Sequence, residues 1–171
     1  TVQKIFEEVR IQNSDAMVME VSSHGLSQNR VNSSEFDIAV FTNLSRDHLD
    51  YHGGMNAYGE EKRKLFINPQ LKIAIVNMDD MFSAKILNSL GQNVKSFTYS
   101  LNNPKANVYP QSVEFHRSGF SIDVITPWGE GRLRSNLAGS FNVSNILAVL
   151  TTVMASEADK ANFNFKNILE K

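Results

Sequence analysis

The chain has 171 residues, enough for one domain with a real core. Hydrophobic residues make up 42%, charged residues 20%, and the formal net charge is -1, so nothing suggests bulk attraction to nucleic acid or to an anionic membrane. There is no cysteine, which excludes disulfides and thiolate metal sites; no apolar run suits membrane insertion and no signal-peptide pattern opens the chain, so a cytoplasmic protein is expected.

Val2, Ile5, Phe6 and Val9 fall at i, i+3, i+4, i+7, which predicts an amphipathic helix over residues 2–12. The apolar run AMVMEV, 16–21, reads as a buried strand ending in SSHG, and FDIAVFTNL, 36–44, as a second ending in SRDH. MNAYGEEKRKLF, 55–66, reads as a helix whose apolar stripe holds Met55, Tyr58, Leu65 and Phe66, with Lys62 in its middle. A third strand is expected at 72–77 and a helix at 79–90. This alternation predicts an α/β fold with a mainly parallel sheet flanked by helices. After about residue 94 the texture changes. The segments KSFTYS, VYPQSVEFHRSGFSIDVIT and GEGRLRSNL predict an appended small antiparallel β section, with turns at Ser118-Gly119 and Pro127–Gly131. Residues 139–156 read as a helix apolar nearly all round, hence buried, with Asn142 as its N-cap.

Ligands of open parallel sheets gather at the carboxyl ends of the strands. Those ends carry Glu20, Ser22, Ser23 and His24, then Asn43, Arg46, Asp47 and His48. Glu20 is either a carboxylate in solvent or an oxygen ligand for a hard cation such as Mg²⁺. His48 and His52 are four residues apart, a spacing that can bind zinc on a helix. However, Leu49 stands where a zinc hydrolase needs glutamate, and Gly53-Gly54 ends any helix. Lys62 either snorkels, its stem packed and its ammonium in water, or is desolvated, which favours the neutral amine. A neutral amine can add CO₂ to give a carbamate, an anion that a cation beside His48 would balance. Asn142 and Asn145 lie one helical turn apart. They read as a cap plus a tolerated polar residue, or as partners for a purine.

VMEVSSHGLSQNRV (18–31), FDIAVFTNLSRDHLDYHGGMNAYGEEKRKLF (36–66) and LAGSFNVSNILAV (137–149) closely resemble the central domain of Mur ligases, of the UDP-N-acetylmuramoyl-tripeptide synthetase type. The resemblance covers nearly the whole chain. It implies a truncated nucleotide-binding domain at 1–158, with 159–171 either the end of that domain or a linker toward a further domain. It implies ATP-dependent amide-bond formation in peptidoglycan precursor synthesis, in which a D-glutamate carboxylate of UDP-MurNAc-L-Ala-D-Glu becomes an acyl phosphate. The amine of a diamino acid, meso-diaminopimelate or L-lysine, then displaces phosphate. By motif, Glu20 and His48 resemble the Mg²⁺ ligands, and Lys62 the carbamylated lysine that serves the metal. Ser22, Gln28 and Arg30 match positions that bind the UDP-muramoyl peptide. Asn142 and Asn145 match the segment that contacts ATP. Asn43 and Arg46 lie in the motif without an assigned role.

One family feature has no counterpart. No Gly-Lys-Thr or Gly-Lys-Ser occurs anywhere in the chain, although the phosphate-binding loop of these ligases requires one. The chain therefore reads as a piece of the central domain that begins after this loop and its strand, and alone it is expected not to turn over ATP. Two other classes compete: a non-catalytic nucleotide- or peptide-binding module, and a folylpolyglutamate-synthase-like ligase. Glu20, His48 and Lys62 weigh against the first, and EVSSHGL followed by NLSRDHLDYHG weighs against the second.

Overall fold

A computed structural model describes residues 2–46, 49–158 and 165. Three apolar segments pair in parallel: β1 (Ile38–Phe41), β2 (Ile73–Asn77) and β3 (Lys95–Tyr99), in the order β1-β2-β3. The register sets Val40 against Ile75, and Ile75 against Phe97. Successive side chains of a strand face opposite ways, so the sheet feeds two cores. Ala39, Phe41, Ala74 and Val76 join Phe66, Leu71, Phe82 and Ile86 on one side. Ile75 and Tyr99 face the other side. Burial on both faces explains why these segments read as nearly unbroken apolar runs.

The helices are α1 (Val2–Ile11), α2 (Ser23–Ser27), α3 (Leu49–His52), α4 (Met55–Arg63), α5 (Ser83–Asn88) and α6 (Ser140–Glu157), with a 3-10 turn at Lys64–Ile67 after α4. α3, α4 and the 3-10 turn cross from β1 to β2, and α5 crosses from β2 to β3. A second, antiparallel sheet follows: β4 (Tyr109–His116), β5 (Gly119–Thr126) and β6 (Gly129–Ser135), with β5 in the middle. Its inner side chains Phe120, Ile122 and Val124 meet Val143, Leu147, Leu150 and Met154 of α6, which also cover Ile75 and Tyr99. One helix thus fills the space between both sheets.

The structure corrects five expectations. Residues 16–21 form no strand, and Val18 is 95% exposed. A segment becomes a strand only through a ladder, and among the described residues none pairs with it. Residues 95–99 belong to the parallel sheet. Burial rises along this outer strand, from exposed Lys95 and Ser96 to buried Tyr99 at its carboxyl end. The helix expected at 79–90 shortens to Ser83–Asn88, because Asp79 and Asp80 are used as side-chain tethers in the preceding turn. α6 is not buried all round, since Phe141 is 67% and Val149 58% exposed. Its N-cap is Gly139, at φ 90°, a conformation that suits glycine. Asn142 sits inside the first turn, its amide donating to the Ala138 carbonyl at 2.8 Å.

Tyr99 ties α6 to the sheet. Its hydroxyl donates to the Phe41 carbonyl at 3.5 Å and also bonds the Ser144 side chain. Burial pushes its phenol well above the ordinary value, reinforced by the negative charge of Asp79. The unfolded chain therefore loses this proton first, so the contribution is intact below pH about 10 and is lost as pH rises beyond it. Tyr99→Phe is expected to flatten the fall in stability between neutral pH and pH about 11, measured by denaturant melts across that range.

Candidate active site

The local sequence of α2 explains its shape. Ser22 has extended backbone angles (φ -74°, ψ 152°) and its hydroxyl accepts from the Gly25 amide at 3.1 Å, a side-chain N-cap. Ser23, Gly25 and Leu26 are buried beneath the helix. Gln28 closes the helix, its amide donating to the His24 carbonyl at 2.9 Å, and Asn29 at φ 57° turns the chain. The Arg30 amide then returns to the Gly25 carbonyl at 2.8 Å. Ser22, Gln28 and Arg30 are all exposed, at the two ends of one short helix. Glu20 is exposed two residues upstream, in a segment without regular structure rather than at the end of a strand.

Four rings join α2 to α3 and α4. His24 of α2 lies 4.1 Å from Tyr51 and 5.4 Å from His52, both of α3, between ring centroids. His52 stacks on Tyr58 of α4 at 5.2 Å and 20°. The His52 Nε2 is 3.0 Å from the Ser23 hydroxyl. The Tyr51 hydroxyl bonds Ser27, at 3.4 Å, and Gln28; these hydrogen bonds lower its phenol from the ordinary value. Tyr51 thereby holds the side chain of one expected substrate-binding residue.

Lys62 belongs to this neighbourhood. It is half-buried, not fully desolvated, and its Nζ lies over the Tyr58 ring, 5.2 Å from the centroid. The next two cations of the chain behave differently. Arg63 pairs with Glu60 and Lys64 with Glu61, each at 2.6 Å along the helix surface. Gly59 lets the α4 backbone close on Phe82: a Cβ there would stand 2.3 Å from the ring.

The carboxyl end of the sheet carries a separate polar network. The Asn77 amide donates to the Thr42 carbonyl at 2.6 Å, and Asp80 accepts from the Leu44 amide at 2.6 Å and the Phe82 amide at 2.8 Å. Asp79 accepts from the Ser100 hydroxyl at 2.5 Å and the Leu101 amide at 2.6 Å. These bonds fasten the loops after β1, β2 and β3 to one another. The Tyr99 link sets the first turns of α6 beside the same ends, so Asn142 and Asn145 share that region with exposed Asn43 and Arg46. The Asn145 amide donates to Asn142 Oδ1 at 3.3 Å, and Asn145 is exposed rather than enclosed by apolar helix.

The expected residues therefore fall into two groups, Ser22, Gln28, Arg30 and Lys62 around the rings, and Asn142 and Asn145 at the sheet end. His48 and Asp47 lie outside the described residues. Among the described residues no three His, Asp or Glu side chains gather into a cation site. The donor set on view does not complete a metal centre, although the exposed Glu20 carboxylate is of the kind a hard cation takes. The sequence reading left out His24, Tyr51 and Tyr58 as site residues. Their signal was present in the density of Tyr and His around 47–58 and in the i, i+4 spacing of Tyr58 and Lys62.

A family model described as the Mur ligase middle domain matches residues 1–153. The chain belongs to this family. It is 46% identical over 156 residues to the UDP-N-acetylmuramoyl-L-alanyl-D-glutamate--2,6-diaminopimelate ligase of Ectopseudomonas mendocina, covering 91% of the chain and 32% of that protein. The protein of the same name from Pseudomonas aeruginosa is 49% identical over 139 residues, covering 81% of the chain and 28% of that protein. A solved structure of a ligase of that name superposes with TM-score 0.78 at 36% identity, covering 88% of this chain and 30% of that one. MurF from Acinetobacter baumannii shares the fold, with TM-score 0.66 at 22% identity, covering 78% of this chain and 28% of that one. The chain spans about a third of the length of the curated relatives it matches.

Because Ser22 caps α2, Ser22→Ala is expected to cost about 1 kcal/mol of stability. Ser22→Asn is expected to recover most of it, as read by denaturant melts.

Proposed function

We propose that this middle-domain chain is part of an ATP-dependent ligase that joins 2,6-diaminopimelate to UDP-MurNAc-L-Ala-D-Glu in peptidoglycan precursor synthesis. The observation that carries this reading is the 46% identity, across 91% of the chain, to a ligase named for that reaction. The names of the relatives favour diaminopimelate over L-lysine as the added amino acid. ATP is the co-substrate, and the reaction belongs to the cytoplasm, where ATP is available. On this reading the domain takes in α6 and also Phe165, which is buried in the same core.

In this reaction the D-glutamate carboxylate attacks the γ-phosphorus of ATP, ADP leaves, and an acyl phosphate results. The amine of the diamino acid then attacks the acyl carbon, phosphate leaves, and the amine proton is given up as the amide forms. Ser22, Gln28 and Arg30 are the residues proposed to hold the UDP-muramoyl peptide. All three are exposed around α2, and the Arg30 guanidinium can take an anionic group of that substrate in a forked pair of hydrogen bonds. Asn142 and Asn145 are proposed to bind the adenosine end of ATP. The exposed amide of Asn145 offers donor and acceptor edges at the carboxyl end of the sheet.

Lys62 is proposed as the carbamylated lysine: its Nζ adds CO₂, loses a proton and becomes a carboxylate-like anion. Glu20, His48 and this carbamate are the proposed ligands of Mg²⁺, which when bound offsets charge on the phosphates.

Two measurements on a full-length ligase containing this chain test the assignment. Lys62→Ala is expected to cut kcat on the order of a hundredfold or more, with partial rescue by a small carboxylate such as formate. A near-normal rate would remove Lys62 from the chemistry. Asn145→Ala is expected to raise the KM for ATP several times more than the KM for the UDP-muramoyl dipeptide. Equal changes would make Asn145 a merely structural residue.

A further inference from the structure

Lys62 has a long, freely rotating stem, and the charged residues next to it are held by ion pairs while it is not part of them. Its Nζ sits over the face of Tyr58, one turn back on α4. Tyr58 is itself buried to 4% exposure, so the ring cannot follow the lysine but must fix it. His52 stacks on Tyr58 and reaches the Ser23 hydroxyl, next to Ser22. The chain of contacts thus runs from α2, which carries the proposed substrate contacts, through two rings to Lys62.

We propose that Tyr58 and His52 are positioning residues for Lys62: Tyr58 is the platform that sets the place of Nζ, and His52 is the bracket that ties this platform to α2. The inference rests on the reading that Lys62 takes part in the ligase reaction. Attraction between the ammonium and the ring face narrows the rotamers Lys62 samples before CO₂ adds, and once the carbamate has replaced the ammonium the packing of the stem on the ring keeps the place. The imidazole keeps the ring from sliding along α2. In this way Lys62 and the bound UDP-muramoyl peptide are kept in one register, although they are carried by different helices. Misplacement by about 1 Å at such a point can cost on the order of a hundredfold in rate.

The test uses a full-length ligase containing this chain, with Tyr58→Phe, Tyr58→Leu, His52→Phe and Lys62→Ala. Two readouts are taken: steady-state kinetics, and the ring-current shift of the Lys62 side-chain NMR resonances, identified by their loss in Lys62→Ala. Tyr58→Phe keeps an aromatic face and is expected to hold both the shift and kcat within about twofold. Tyr58→Leu is expected to abolish the shift and lower kcat about tenfold or more with KM for ATP unchanged. His52→Phe keeps the stack but loses the bond to Ser23, and is expected to raise the KM for the UDP-muramoyl dipeptide. Thermal melts establish that each variant is folded; if Tyr58→Leu does not fold, Tyr58→Met takes its place. A kcat retained by Tyr58→Leu, or lost equally in Tyr58→Phe, overturns the platform. An unchanged KM for the UDP-muramoyl dipeptide in His52→Phe overturns the bracket, and a Lys62→Ala enzyme of near-normal rate instead overturns the role of Lys62 on which the proposal rests.

Discussion

Burial of β2 on both faces is the constraint from which the rest of the arrangement follows. Ala74, Ile75 and Val76 have no exposed surface, so each side of the sheet must be covered. α4, the 3-10 turn and α5 cover one side, and α6 covers the other. Covering helices fix where the chain must leave and re-enter the sheet. The polar loops therefore meet at its carboxyl end, where Asn77, Asp79 and Asp80 fasten them by hydrogen bonds to backbone groups. Asn77 donates to a carbonyl and the two aspartates accept from amides, so each loop root is held by a side chain of the turn after β2.

The same sheet sets the position of the ring cluster. α4 is seated against the core by Tyr58 and by the missing side chain of Gly59, into which Phe82 fits. From that seat Tyr58 can reach both His52 and Lys62. Packing and proposed chemistry use opposite ends of the same few residues. The apolar body of Tyr58 serves the core, and its ring face meets the ammonium. A charge on the buried stripe of a helix is thereby accommodated without an ion pair in the interior, which would be costly to desolvate.

Much of this was legible in the sequence, and the departures have physical causes. The apolar runs around 38–41 and 73–77 identified the two strands, because burial on both faces leaves an unbroken hydrophobic signature. The short segments and the turns at Ser118-Gly119 and Pro127–Gly131 identified the antiparallel sheet. Residues 16–21 carried the same signature as β1, but a hydrophobic run specifies a tendency and a ladder requires a neighbour. Asn142 was placed one role too early, since an asparagine suits a cap but Gly139 supplies the turn that begins the helix. Among the candidate site residues, the grouping of Ser22, Gln28 and Arg30 followed from their nearness in the chain. The ring contacts between α2, α3 and α4 depend on how three short helices pack, which periodicity does not encode.

α6 has a further consequence. Its inner face is shared between the parallel sheet, through Ile75 and Tyr99, and the antiparallel sheet, through Phe120, Ile122 and Val124. Neither sheet has a complete core of its own on that side, so the two form a single cooperative unit for local opening. Amides of β5 and of β2 would then exchange with solvent through the same opening event, however different the two sheets look. Asn142 and the exposed Asn145 lie at the start of the helix that both sheets share. A perturbation of the small antiparallel sheet, far along the chain, would reach the carboxyl end of the parallel sheet through one helix.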